Sequence, residues 1–150
     1  MAVITTDILL EGVRRDEAYE WLRVPANHRQ LVEGAFDGFV ENSAGDYTLT
    51  VKSPGRVRTM GYKVEGGDDQ HGGRRVYVQT SGRRFGGRLS YSLRTMKPST
   101  NTLVTLHLDF EPGGLLGPLA LRLGLEDRLR RGLVRSLEGL GRAVPRVGAT

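Results

Sequence analysis

Residues 35–112 form a long succession of segments in which apolar and polar residues alternate, with no helical period between them. Successive side chains of a strand point to opposite faces, so this alternation predicts strands with one buried face. The segments are separated by short turns such as Pro54-Gly55 and Lys97-Pro98-Ser99, whereas parallel strands need long crossover connections. The region therefore predicts an antiparallel meander with one buried and one solvated face.

A first strand precedes this meander, and the turn signals divide the rest into six further segments. Residues 66–73 are polar and rich in glycine, and we expect them to form a hairpin tip. The predicted strands are 2–11, 36–42, 46–53, 56–65, 74–80, 87–96 and 101–110.

Three segments have the spacing of helices. Residues 14–23 and about 27–33 predict two short helices, and the second ends before Gly34. The last helix is expected from about Glu126 to Val144. Its leucines fall in a stripe roughly 80° wide, with arginines opposite. Because this stripe and one face of the sheet must both be buried, we expect them to pack on each other. The stripe consists of Leu129, Leu133, Leu137 and Leu140.

The composition limits the class of protein. A chain of 150 residues fits one domain, and the absence of cysteine excludes disulfides and thiolate sites. The first residues lack the basic start of a signal peptide, and the apolar window Leu115–Leu125 is shorter than the ~20 residues of a membrane span. We therefore predict a cytoplasmic protein with no membrane span.

The positive charge has two interpretations. The formal net charge is +5, and all but three of the 22 basic residues are arginine. Such a charge can indicate a polyanionic partner, but an arginine and glycine bias is also typical of a GC-rich genome. The basic residues are spread over strands, turns and helix and are interleaved with acids, so we rank nucleic-acid binding low.

The order of these elements over residues 2–144 resembles that of the START-like, or SRPBCC, superfamily, which includes polyketide cyclase/dehydrase-like and birch-pollen-allergen-like proteins. The similarity is clearest in ITTDILLEGVRRDEAYEWL and TLVTLHLDFEPGGLLGPLALRL. It implies an α+β helix-grip fold over residues 1–150. In that fold a curved antiparallel sheet of about six to seven strands, two short N-terminal helices and one long C-terminal helix enclose a hydrophobic cavity.

The resemblance also implies a ligand, since members of this superfamily bind lipids, sterols, quinones, polyketides or other apolar molecules. We expect the inward-facing residues to line the cavity, although for any single one of them ordinary core packing is the favoured interpretation. Tyr47, Tyr62 and Tyr91 would supply its polar contacts, because a buried phenol needs a hydrogen-bond partner. The expected lining residues are Leu49, Val51, Met60, Tyr62, Val78, Tyr91, Leu93, Leu106, Leu108, Leu129, Leu133 and Leu137.

The segment between the last strand and the last helix is a candidate gate. Its glycines permit hinge motion, and its two leucines could cover an opening; the alternative is an ordinary connector. The gate would consist of Gly113, Gly114, Leu115, Leu116 and Gly117.

No catalytic or metal-binding arrangement is recognisable. His71 falls on the predicted hairpin tip and His107 on the outer face beside Asp109, and no nucleophile motif is present. The polar residues that we place on the inward face are tyrosines, which argues against an enzyme. The sequence therefore favours a protein without cofactor, monomeric or weakly dimeric, that binds an apolar small molecule or lipid. The alternatives are a polyketide cyclase/aromatase-like enzyme using the same cavity and a protein-binding role of the same fold.

Overall fold

The structure is a computed structural model, which describes residues 2–53, 56–70, 73–81, 85–98, 100–112 and 124–146. Seven strands form one antiparallel sheet in the order β1-β7-β6-β5-β4-β3-β2, so the chain's first strand joins its last. The predicted meander is confirmed. The strands are β1 (Ala2–Leu10), β2 (Gly38–Ser43), β3 (Asp46–Ser53), β4 (Arg56–Gln70), β5 (Gly73–Ser81), β6 (Phe85–Met96) and β7 (Asn101–Pro112).

The predicted hairpin tip at residues 66–73 is wrong in its extent, because β4 continues to Gln70. Gly66 has a φ of +102°, and the register of β4 against β5 shifts at this point. A glycine in this conformation allows a β-bulge, after which pairing resumes with Gly66 opposite Tyr77 and continues through Asp68 opposite Arg75. The glycines that suggest a turn in the sequence therefore lie within a long hairpin.

The helices cover one face of the sheet. The first begins with two acidic residues in its first turn, where the helix dipole favours negative charge. The second ends before Gly34, whose φ of +88° is the left-handed conformation expected after a helix end. The helices are α1 (Arg15–Arg23), α2 (His28–Val32) and α3 (Glu126–Ala143), and a 3-10 turn at Pro25–Asn27 joins the first two.

The long C-terminal helix is confirmed, and its leucine stripe is buried with each side chain at most 4% exposed. Helix α3 approaches β1 at one edge of the sheet and β3 near the other edge more closely than the central strands β4–β7. Helix α1 instead packs over β5 and β6. The interior between α3 and the middle of the sheet is therefore bridged by side chains rather than by close backbone contact.

An ion pair fixes the start of α3 to the strand region. The Asp37 carboxylate accepts hydrogen bonds from the Lys52 amide at 2.6 Å and from the Arg128 guanidinium at 3.0 Å, and Arg128 also donates to the Ala35 carbonyl at 3.3 Å. Desolvation alone would raise the pKa of Asp37, but these contacts outweigh it and the pKa is lowered. The segment before β2 is thus held to both β3 and α3.

Two glycines of α3 allow close packing, but against different partners. A methyl group at Gly132 would overlap the ring of Phe36, whereas one at Gly139 would lie 3.4 Å from the Gln30 carbonyl oxygen, at ordinary contact distance. The close approach at these glycines is thus made by Phe36 and α2.

These contacts predict opposite effects of the same substitution. Gly139→Ala should raise the free energy of unfolding by about 0.5–1 kcal/mol, because alanine favours the helix and fits. Gly132→Ala should lower it by about 1–2 kcal/mol, because the Phe36 ring must move. Urea unfolding of both variants measures the difference, and equal shifts would contradict the packing described for Phe36.

Candidate functional site

All twelve predicted lining residues lie in the buried core. Leu49, Leu108 and Leu133 have the largest exposed fraction among them, 4% each. The sequence does not show which alternate residues of β4 face inward. The burial of Met60 and Tyr62 shows that these two residues do. A role of these residues in ligand binding stays a prediction.

A buried histidine lies against the tyrosines of the inner face. His28, from α2, is 0% exposed. Its Nδ1 lies 2.7 Å from the Tyr62 hydroxyl and its Nε2 lies 2.6 Å from the Leu22 carbonyl oxygen. Its ring also contacts Tyr91 edge-on, with centroids 5.8 Å apart. The interior therefore contains an imidazole between a sheet tyrosine and the end of α1.

The hydrogen-bond partners determine the direction of these bonds. A carbonyl oxygen only accepts, so the proton of the imidazole lies on Nε2 and is donated to Leu22. Burial lowers the pKa of His28 from 6.5 to about 4, against the effect of the Leu22 carbonyl, so the ring is neutral at pH 7. Its Nδ1 then accepts, and the Tyr62 hydroxyl donates to it.

The polar contacts of the interior continue from the sheet to the last helix. Tyr91 lies near Tyr62 and Ser136 of α3, and both of these neighbours affect its pKa. Burial raises the pKa of Tyr91 and raises that of Tyr62 well above 10, so both phenols stay protonated at neutral pH. We call His28, Tyr62, Tyr91 and Ser136 the inner polar cluster. It joins α2, β4, β6 and α3 across a mostly apolar interior.

Aromatic packing extends this cluster towards the β2 edge. The rings of Phe39 and Tyr47 are stacked with centroids 4.5 Å apart, and Phe39 meets Tyr62 edge-on at 5.3 Å. The Tyr47 hydroxyl donates to the Pro25 carbonyl at 3.1 Å. Burial is the main cause that raises the pKa of Tyr47. The three tyrosines predicted to supply polar contacts are therefore all buried. The Tyr47 hydroxyl already has a hydrogen-bond partner within the protein.

The expectation that only tyrosines face inward is wrong. Besides His28, the structure places Thr80 and Arg58 among the buried residues, 3% and 9% exposed. Thr80 follows Val76 and Val78 on the buried parity of β5, a signal present in the sequence. His28 lies in a helix of five residues, too short for a helical period to show which side is buried.

The other predicted features lie away from the interior. His107 is on the outer face, where it contacts the Thr5 hydroxyl at 3.1 Å and the Asp109 carboxylate at 3.3 Å, as expected for a solvated histidine beside an acid. His71 and the predicted gate at 113–117 lie outside the described residues. Within the described residues, no group of three His, Asp or Glu side chains is placed to hold a metal ion.

A groove of about 370 Å³ lies between α2 and α3. Its floor includes Leu31 and Gly139, and charged side chains such as Arg135 and Glu138 line it. The exposed charges place this groove on the solvent side of α3, away from the inner polar cluster. It does not correspond to the predicted cavity.

The seven-stranded antiparallel sheet with its long C-terminal helix is consistent with the helix-grip fold that the resemblance to START-like (SRPBCC) proteins implies. No protein-family model matches the chain, and no curated protein sequence matches it. Solved structures of this class do match, over most of the chain and at low sequence identity.

Three of these structures illustrate the class. A START superfamily protein from Mycobacterium smegmatis is 15% identical with a TM-score of 0.60, covering 93% of this chain and 97% of its own. Norcoclaurine synthase from Thalictrum flavum, in complex with dopamine and hydroxybenzaldehyde, is 14% identical with a TM-score of 0.64, over 94% and 84%. The di-domain ARO/CYC protein BexL of the BE-7585A biosynthetic pathway is 16% identical with a TM-score of 0.57, over 93% and 46%. At these identities the similarity establishes the fold alone.

Among the described residues, none of the helices combines the length and the apolar character that crossing a membrane requires.

The buried histidine predicts a pH dependence of stability. Histidines of the unfolded chain protonate near pH 6.5, whereas His28 stays neutral to about pH 4, so the unfolded state binds more protons in this interval. The free energy of unfolding should therefore fall as the pH drops from 6.5 towards 4, by roughly 3 kcal/mol. Urea unfolding at several pH values measures it.

The matched controls are two glutamine variants. His28→Gln should remove this component of the pH dependence, because glutamine does not titrate. His107→Gln should retain it, because His107 lies on the outer face. Identical pH dependence in both variants would show that His28 is not the group responsible.

Proposed function

We propose that this protein binds a hydrophobic small molecule or lipid in an internal cavity between the inner face of the sheet and α3. The observation that carries the proposal is the separation of α3 from the central strands, while β1 and β3 approach it closely. Side chains of the core, including Tyr91 and Leu133, extend into this separation. Movement of some of them would make room for a ligand.

The driving force would be burial of apolar ligand surface, at about 25 cal/mol per Å². Leucines and valines make up most of the inner wall, and the inner polar cluster provides a few hydrogen-bonding groups within it. A mostly apolar wall with few polar groups is typical of small-molecule sites. We further propose a cytoplasmic protein, monomeric or weakly dimeric, that needs no cofactor.

A second candidate function is that of a polyketide cyclase/aromatase-like enzyme. The bond from Tyr62 to a neutral His28 favours it, because a neutral imidazole can take a proton while a phenol donates one to a ligand oxygen. The fold also occurs in norcoclaurine synthase and in an ARO/CYC protein. We rank it second because a chain of hydrogen bonds is equally suited to holding a ligand.

Native mass spectrometry of the purified protein, followed by organic extraction, tests the first proposal. We expect a reproducible copurifying apolar molecule. Leu133→Trp, on the buried side of α3, should reduce its occupancy at least tenfold by filling the cavity. Val134→Trp, on the adjacent exposed side, should leave it unchanged, since Val134 is 38% exposed.

Two results would contradict the proposal. One is a purified protein that carries no molecule and binds none of a panel of lipids and quinones. The other is equal occupancy in both tryptophan variants, with both still unfolding cooperatively. An extracted molecule that changes mass on incubation with fresh protein would favour the enzyme instead.

A further inference from the structure

The hydroxyl of Thr80 is buried and has no hydrogen-bond partner within the described part of the chain. The residue is 3% exposed. Among the described residues, its Oγ1 is one of the few buried side-chain polar atoms without a hydrogen-bond partner. Burying a hydroxyl without a hydrogen bond is unfavourable, and valine has nearly the same shape without that cost. A threonine here is therefore unexplained by packing alone.

The sheet register places Thr80 beside the inner polar cluster. Thr80 is directly opposite Tyr62 of β4 and opposite Gly87 of β6. Directly opposite residues on one face have their Cβ atoms about 4.5–5.5 Å apart, so the Thr80 hydroxyl adjoins the side chain of Tyr62. On its other side Gly87 contributes no side chain. The hydroxyl thus lies on the inner face of the sheet, on β5 between β4 and β6.

The cluster itself does not use this hydroxyl. Tyr62 donates its proton to His28, and Tyr91 interacts with Tyr62 and Ser136. These contacts direct the hydrogen bonds of the cluster towards α2 and α3, away from β5. Thr80 therefore retains both a donor and an acceptor on the wall where the ligand is proposed to bind.

We propose that the Thr80 hydroxyl donates a hydrogen bond to an oxygen of the bound ligand. This inference rests on the proposed function and narrows it: the ligand is an apolar molecule that carries a carbonyl oxygen, not a pure hydrocarbon. The carbonyl oxygen would lie beside the Tyr62 ring, and the apolar remainder would lie along Val76 and Val78. A buried water on Thr80 is the competing explanation.

Two probes of similar shape separate these possibilities. Fluorenone carries a carbonyl where fluorene has a methylene group, and equilibrium dialysis measures the affinity of each for the same protein. Thr80→Val should weaken fluorenone binding about 3- to 10-fold, the value of one hydrogen bond, and leave fluorene binding unchanged. Thr80→Ser, which keeps the hydroxyl, should retain most of the fluorenone affinity.

The outcomes distinguish the two proposals. Binding of both probes that Thr80→Val does not alter, or alters equally, overturns the role of Thr80 and leaves the cavity intact. A wild-type protein that binds neither probe contradicts the proposed function and this inference together.

A measurement without ligand completes the test. If the hydroxyl has no partner, Thr80→Val should have a midpoint of urea unfolding at least as high as the wild type. A lower midpoint would show that the hydroxyl already has a partner, such as a bound water, and would overturn the inference.

Discussion

The structure depends on covering one face of a seven-stranded sheet. A sheet with one apolar face is unstable in water unless another layer buries that face, and α3 and α1 together provide this layer. Helix α3 approaches β1 and β3 more closely than the strands between them, and α1 packs over β5 and β6. The rest of the interior beneath α3 must therefore be filled by large side chains or by a ligand. The buried tyrosines and the histidine occupy this region, so the covering of the sheet and the candidate site have one physical origin.

Much of the fold could be predicted from the sequence because its strands and its last helix repeat apolar residues at a regular spacing. The alternation in the strands and the leucine stripe of α3 each recur over several residues, so one misread residue does not change the predicted element. The end of β4 could not be predicted, since Gly66 within a bulge and a glycine in a turn look alike in sequence. The pairs that continue past Gly66, such as Asp68 with Arg75, distinguish the bulge from a turn.

The candidate site was predictable in part, for the same reason. The buried positions of Tyr62 and Tyr91 follow from strand parity, but the partner of Tyr62 is His28, which arrives from another element. It follows the 3-10 turn at Pro25–Asn27, in helix α2, which lies against α3 near Gly139. Such contacts depend on how two short helices are oriented, which no sequence period encodes.

The bond from His28 to the Leu22 carbonyl has a wider consequence. This carbonyl belongs to the last turn of α1, so an interior side chain satisfies a backbone group at a helix end. The termination of α1 and the protonation pattern of the interior are then thermodynamically linked. Any molecule that competes for the Tyr62 proton would also change the energy of the α1–α2 junction. Binding of a ligand in the interior would therefore affect the backbone outside it.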